Sequence, residues 1–185
     1  MELQDHLLIA MPHLEDNYFF RTVIYLCEHN EKGSMGLVIN QPTDLSIAEL
    51  GAKMNFMMKT NRTYKDNLVL AGGPVNPDRG FILHSPTDTT FEHSYKVTDG
   101  LTLTTSADVI DTFGTLNEPE KYLVALGCAN WEPKQLEREI ANNDWLVVPA
   151  TDNLLFELPY EQRWAAANQL LGIHSYQISS QVGHS

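Results

Sequence analysis

The segment from Phe20 to Glu28 constrains the fold more than any other part of the chain. It is dense in β-branched and aromatic residues, which suit a strand. On a strand, Thr22, Ile24 and Leu26 share one face, and Val23, Tyr25 and Cys27 share the other. Two apolar faces need two covers, so this strand is expected at the centre of a sheet packed on both sides. A chain of 185 residues can supply those covers. At that size about 70% of the unfolded surface is buried on folding, and no metal or disulfide has to supplement the core.

Around this strand the pattern reads as α+β, with a mixed, largely antiparallel sheet carrying packed helices. The polar run Asn30 to Ser34 turns the chain into a second strand, Met35 to Asn40, which makes a β-hairpin. Ser46 and Glu49 fit a capping box for a short helix through about Met54, and a polar, mobile loop is expected over Asn55 to Asp66. Further strands are expected at Leu68–Leu70, Arg79–His84, within Lys96–Thr104, at Tyr122–Leu126, Trp145–Val148 and Leu154–Leu158. Thr105 or Ser106 caps a helix to about Phe113, ended by Gly114. Pro133 suits the first turn of a helix through about Asn142, with Glu137 and Glu139 facing solvent. Pro159 opens the last helix, on which Tyr160, Trp164, Ala167 and Leu171 share a face, with Gly172 as its C-cap. No repeat or linker divides the chain. One domain over 1–185 is expected, with a core over about 5–172 and a frayed polar tail over 175–185.

Lys and Arg number 12 against 24 Asp and Glu, a net charge of −12. Only Lys59, Arg62 and Lys65 lie close together, so direct DNA binding is disfavoured. Cys27 and Cys128 form no CxxC pair and no metal-ligand series. The N-terminus lacks the basic region of a signal peptide, and no run approaches the ~20 apolar residues of a membrane span. The expectation is a cytoplasmic location away from the membrane, with two free thiols and no cofactor or metal.

Four segments carry side chains that chemistry uses. Cys27 and His29, two apart on a strand, would share a face, and an imidazole beside a thiol favours thiolate. The bland alternative is a small buried hydrophobe followed by polar residues at the strand end. Gly72 and Gly73 before Pro74 can turn backbone N–H groups towards an anion, or simply make a tight turn. Arg79 can hold a carboxylate or phosphate and His84 can shuttle a proton, unless they are an ion pair and a strand-end histidine. Asn130, Trp131 and Gln135 span a strand–turn–helix junction where a ligand could dock, with Trp131 either a core plug or an exposed anchor. If the chain has a site, these strand ends should gather at one cavity.

Together with Leu8–Pro12, Arg21–His29, Gly36–Pro42, Gly72–Val75, Arg79–His84, Trp131–Glu137 and Trp145–Leu146, in this order, the sequence resembles the AlgH/YqgE family from about residue 5 to Gly172. The resemblance implies a bacterial, cytoplasmic, compact α+β domain. It carries over no catalytic residue, although some members bear a transcriptional-regulator label. Where the family pattern reads Gly-Tyr-Ala-Gly-Trp-x-Pro-Gly-Gln-Leu-Glu, this chain has Cys128, Asn130 and Lys134 at three positions. The favoured expectation is a binding or regulatory module acting on a protein partner or small-molecule ligand. The alternatives are an enzyme using Cys27, His29 or His84, and a regulator of transcription acting indirectly.

Overall fold

The structure is a computed structural model that describes residues 2–11, 21–53 and 67–182. Ten strands form one sheet: β1 His6–Ala10, β2 Val23–Asn30, β3 Gly33–Val38, β4 Pro42–Ser46, β5 Leu68–Ala71, β6 Val75–His84, β7 Ser94–Thr98, β8 Leu101–Thr104, β9 Tyr122–Trp131 and β10 Trp145–Pro149. Its main path runs β10-β1-β2-β3-β9-β6-β8-β7, with β4 and β5 joined alongside. Every pair is antiparallel except β5 with β9. Among the described residues three α-helices accompany it: α1 Ile47–Lys53, α2 Gln135–Ala141 and α3 Tyr160–Val182. This is the α+β arrangement expected from the sequence. Phe20, the expected start of the Phe20–Glu28 strand, Met54, the expected end of the first helix, and the loop over 55–66 lie outside the described residues.

Strand β2 is covered on both faces. Val23, Tyr25 and Cys27 enter a cluster with Leu37, Leu70, Val148 and Ala167, against which Trp164 of α3 packs. Ile24 and Leu26 enter another with Val38, Trp131, Leu136 and Trp145, on the side of α2. Each large side chain buried this way contributes about 1.5–3 kcal/mol. A third cluster joins Ile82 and Val124 of the sheet to Ile110 and Phe113.

Strand β9 organises the rest. One of its two edges pairs with β6, from Tyr122↔His84 to Cys128↔Val75. The other is shared: Ala125 and Leu126 take β5, and Ala129 to Trp131 take β3. The changeover falls at Gly127, whose φ is +81°. There the backbones of Gly72, Gly73 and Gly127 lie in direct contact, closer than any Cβ would permit.

Several local expectations are corrected. β9 continues to Trp131 instead of ending at Leu126, because β3 provides a second partner for its far half. Helix α2 therefore begins at Gln135, not at Pro133, with Lys134 at its N-cap in a left-handed conformation, φ +67°. The segment expected to be a strand at Leu154–Leu158 is a π-helical turn over Asn153–Glu157, with Leu154 and Leu155 buried. The helix after Ser106 is a 3-10 turn, Ala107–Thr112. Gly172 is not a C-cap, since α3 continues to Val182 where a frayed tail was expected. Ser46 does cap α1, its Oγ accepting the Glu49 N–H at 3.0 Å.

Lys134 adopts a left-handed conformation, which costs an L-residue about 1–2 kcal/mol. Lys134→Gly should raise stability by about 0.5–1 kcal/mol once the extra unfolded-state entropy of glycine is counted. Urea unfolding of the two proteins measures it, and a less stable variant would contradict the strain.

Candidate functional site

At the end of the β2–β3 hairpin, a groove of about 600 Å³ is formed with the junction between β9 and α2. Its rim is polar: Glu28, Asn30 and Lys32 from the hairpin, and Asn130, Glu132 and Gln135 from the junction. Ser34, Met35, Val75 and Trp131 complete the wall. The pairings Ser34↔Trp131 and Met35↔Asn130 hold the two halves in register.

Local bonds set the polar groups. Asn30 Nδ2 donates to Glu28 Oε1 at 3.0 Å, and Asn30 Oδ1 accepts the Lys32 N–H at 2.8 Å, which shapes the turn. Gln135 Oε1 accepts the Glu132 N–H at 2.8 Å, closing the junction in the manner of a side-chain turn. Beneath the groove, His29 Nδ1 lies 2.7 Å from Ser34 Oγ, and its Nε2 lies 3.9 Å from Glu137. Trp131 is 6% exposed, a core plug with one edge on the groove. Its Nε1 donates to Glu139 at 3.3 Å, and Trp145 Nε1 donates to the same oxygen at 3.0 Å. Glu139 therefore does not simply face solvent, as its spacing on α2 suggested.

Of the sequence-derived candidates, Asn130, Trp131 and Gln135 line this groove; Cys27, His29, Gly72 and Gly73 do not, although their neighbours Glu28 and Val75 do. Gly72 and Gly73 stand behind it with their backbones against β9. The Gly72 N–H donates to Leu126 O at 2.8 Å, in keeping with the tight-turn reading of the two offered for this pair. The neighbouring residues Glu28, Asn30, Lys32 and Glu132 were not singled out in sequence, because short polar turns read as solvated loops.

Of the two readings of Cys27 and His29, the small buried hydrophobe is the one that the structure matches. A bulge between Leu26 and Glu28 interrupts the register, and Cys27 is wholly buried with Sγ directed to the Tyr25 carbonyl at 3.9 Å. Burial pushes its thiol well above the ordinary range, with Cys128 and Glu28 adding to the effect. Burial raises the Cys128 thiol as well, against a smaller opposing effect of Arg79. Neither thiol favours thiolate, and both are free. Alkylation should accordingly spare Cys27 in the native protein, while cells lysed directly into denaturant containing the alkylating reagent should yield two modified cysteines. Rapid native labelling of Cys27 would contradict its burial.

Arg79 and His84 fall outside the groove. Arg79 is exposed, 3.4 Å from Thr105 Oγ1 and over the Phe81 ring. His84 is 2% exposed, edge-on to Phe91. Its Nδ1 lies 2.8 Å from the Ser85 carbonyl, which only accepts, so Nδ1 carries the proton. Nε2 then accepts from Thr104 Oγ1 at 2.7 Å, and Ser94 Oγ donates to Thr104 in turn. A buried, bonded imidazole is a poor proton shuttle. Burial lowers its pKa below the ordinary 6.5, with the Ser85 carbonyl opposing. A histidine depressed in the folded state binds its proton more tightly when unfolded, so stability is complete above about pH 6.5 and declines as pH falls towards the folded value. Urea midpoints should fall over that window, and the His84 resonances should titrate below 6.5. Titration at or above 6.5 would refute the assignment.

Among the described residues, no group of three His, Cys, Asp or Glu side chains is placed to hold a metal, and no helix is long and apolar enough to cross a membrane. The sequence matches the AlgH-like family model over residues 7–176. It is 71% identical over 184 residues to the UPF0301 protein of Pasteurella multocida, covering 100% of this chain and 99% of the relative. It is 64% identical over 186 residues to a UPF0301 protein of Haemophilus influenzae, covering 100% of both. The fold is similar to the solution structure of the AlgH protein from Pseudomonas aeruginosa, with a TM-score of 0.77 at 42% identity over 99% of this chain and 96% of that one. A Corynebacterium diphtheriae protein shares the fold at a TM-score of 0.69 and 19% identity, over 90% and 86% of the two chains.

Proposed function

The chain belongs to the AlgH-like family, and on that premise we propose that it is a binding module that takes a basic protein segment into the groove between the β2–β3 hairpin and the β9–α2 junction. One observation carries this reading. Two carboxylates, Glu28 and Glu132, and three carboxamides, Asn30, Asn130 and Gln135, line a single groove against one ammonium, Lys32. That rim is rich in acceptors, and the whole chain carries a net charge of −12. Such a field speeds encounter with a cationic partner and repels an anionic one.

The groove sits on rigid strands, which favours recognition over catalysis, and the burial of Cys27 removes the most nucleophilic side chain from it. A regulatory role would be exerted through this protein contact, since the same acidic balance opposes a phosphate backbone. Two free, buried thiols fit a reducing cytoplasm.

The side-chain amides of Asn30, Asn130 and Gln135 are built-in reporters. In ¹⁵N-labelled protein, titration with a Lys/Arg-rich peptide should shift all three, with salt-dependent affinity. An acidic peptide of equal length should leave them in place. Glu28→Lys with Glu132→Lys should weaken binding by about tenfold or more while the fold persists. Shifts that map elsewhere, or equal response to both peptides, would overturn the proposal.

A further inference from the structure

Gly80 lies inside β6, where its pairing with β9 resumes opposite Leu126 after an irregular stretch from Val75. Neither its backbone nor its neighbours require a glycine. Its φ lies outside the left-handed range, and a Cβ there would meet only the Ile82 Cδ1 methyl, at 3.9 Å. Gly72, Gly73 and Gly127 differ, since each lies against main chain. At Gly80 the missing side chain leaves open space, and a glycine within a strand often marks a place that a ligand approaches.

That space belongs to a cavity of about 260 Å³ between α1, β6, β9 and the 3-10 turn. It shares no lining residue with the groove. The surface it exposes is mainly apolar. Leu50, Ala107 and Leu126, all half-buried, supply much of that surface, and the buried Ile82, Ile110 and Val124 complete the wall. Its hydroxyls already have partners. Ser106 Oγ donates to Asp108 Oδ1 at 2.5 Å and accepts the His93 N–H at 3.0 Å. Thr105 Oγ1 lies 3.4 Å from Arg79 Nη2. Asp78 contributes to the lining but is exposed, where water screens its charge.

We propose that this cavity is a second binding site, for a small neutral molecule with an apolar body, one ring with a short substituent. The exposed Leu and Ala surface rewards hydrocarbon that leaves water. No charged side chain is buried in the wall, so an ion entering it would lose its hydration without gaining a partner. An apolar cavity of roughly 150 Å³ holds benzene, and this larger one leaves room for a substituent. It lies below the roughly 300–1,000 Å³ of drug-sized pockets, which excludes larger ligands.

Toluene and benzyl alcohol are the probes, with benzoate as the charged analogue and glycerol as the polar control. On the whole, methyl-labelled protein, both probes should shift the Leu50, Ile82 and Leu126 methyl resonances saturably and raise Tm. The Asn130 and Gln135 amides of the groove should stay in place. Benzoate should bind at least about tenfold more weakly than benzyl alcohol, and glycerol should shift nothing. Gly80→Val places two methyls in the open space and should weaken toluene at least about tenfold. If that variant does not fold, the wild-type methyl shifts still decide. Unmoved methyls, shifts spread evenly over the core, benzoate as tight as benzyl alcohol, or unchanged toluene affinity in a folded Gly80→Val protein would each overturn the site.

Discussion

Gly73→Ala should destabilise the protein by about 3 kcal/mol or more, the steep end of what a single added methyl does in a packed interior. The reason is local and backbone-level. Gly73 has φ +154°, and a Cβ there would stand 2.1 Å from the carbonyl carbon of Cys128 and 2.2 Å from its oxygen. No rotamer change relieves a clash with main chain. Either β9 moves away, breaking its pairing with β5 and β3, or the turn after β5 is rebuilt. Gly72 faces the same limit, 2.4 Å from the oxygen of Gly127. Gly80→Ala is the control, because the nearest atom to its Cβ is a flexible methyl of Ile82 at 3.9 Å. Urea unfolding should show a large drop for Gly73→Ala and under about 1 kcal/mol for Gly80→Ala. Equal midpoints would mean that the two backbones are not in contact.

The glycine pair was visible in sequence, but its job was not. Paired glycines serve an anion loop and a close backbone crossing equally well, and the decision rests with a partner some fifty residues away, at Gly127 and Cys128. The same limit explains β9. Gly127, Cys128, Ala129 and Asn130 are small or polar, so locally they read as a strand end, whereas the pairing with β3 extends the strand through them. The run Leu154–Leu158 was legible as buried, not as helical or extended, because a short apolar stretch lacks a period that separates the two. Periodic signals fared better. The two apolar faces of β2, the hairpin into β3, the Ser46 cap and the Tyr160–Ala167 face of α3 each follow from residues within one or two turns of each other. Arg163 gave no signal: it is buried and donates to Leu158 O and Ile39 O, yet a lone arginine among helix formers reads as surface.

The groove and the core meet at one pair of indoles, and removing the deeper one should damage both. Trp145 is 1% exposed on β10, and its ring meets Trp131 edge-on at 6.0 Å between centroids. Trp145→Ala should cost about 3–5 kcal/mol, because a rigid sheet and α2 cannot collapse into the space left. Trp145→Phe should cost less, since it keeps a ring against Trp131 but loses the N–H that reaches Glu139. Glu139 separates packing from hydrogen bonding. Glu139→Gln retains an acceptor for both indoles and should cost under about 1 kcal/mol, whereas Glu139→Leu removes the acceptor that both share at about 1–3 kcal/mol. Trp131 forms part of the groove wall, so a Trp145→Phe protein that still folds should bind the basic peptide more weakly and shift the Asn130 and Gln135 amides. If Trp145→Phe leaves both peptide affinity and those amides unchanged, Trp131 holds its place without its neighbour, and the groove is independent of the core behind it.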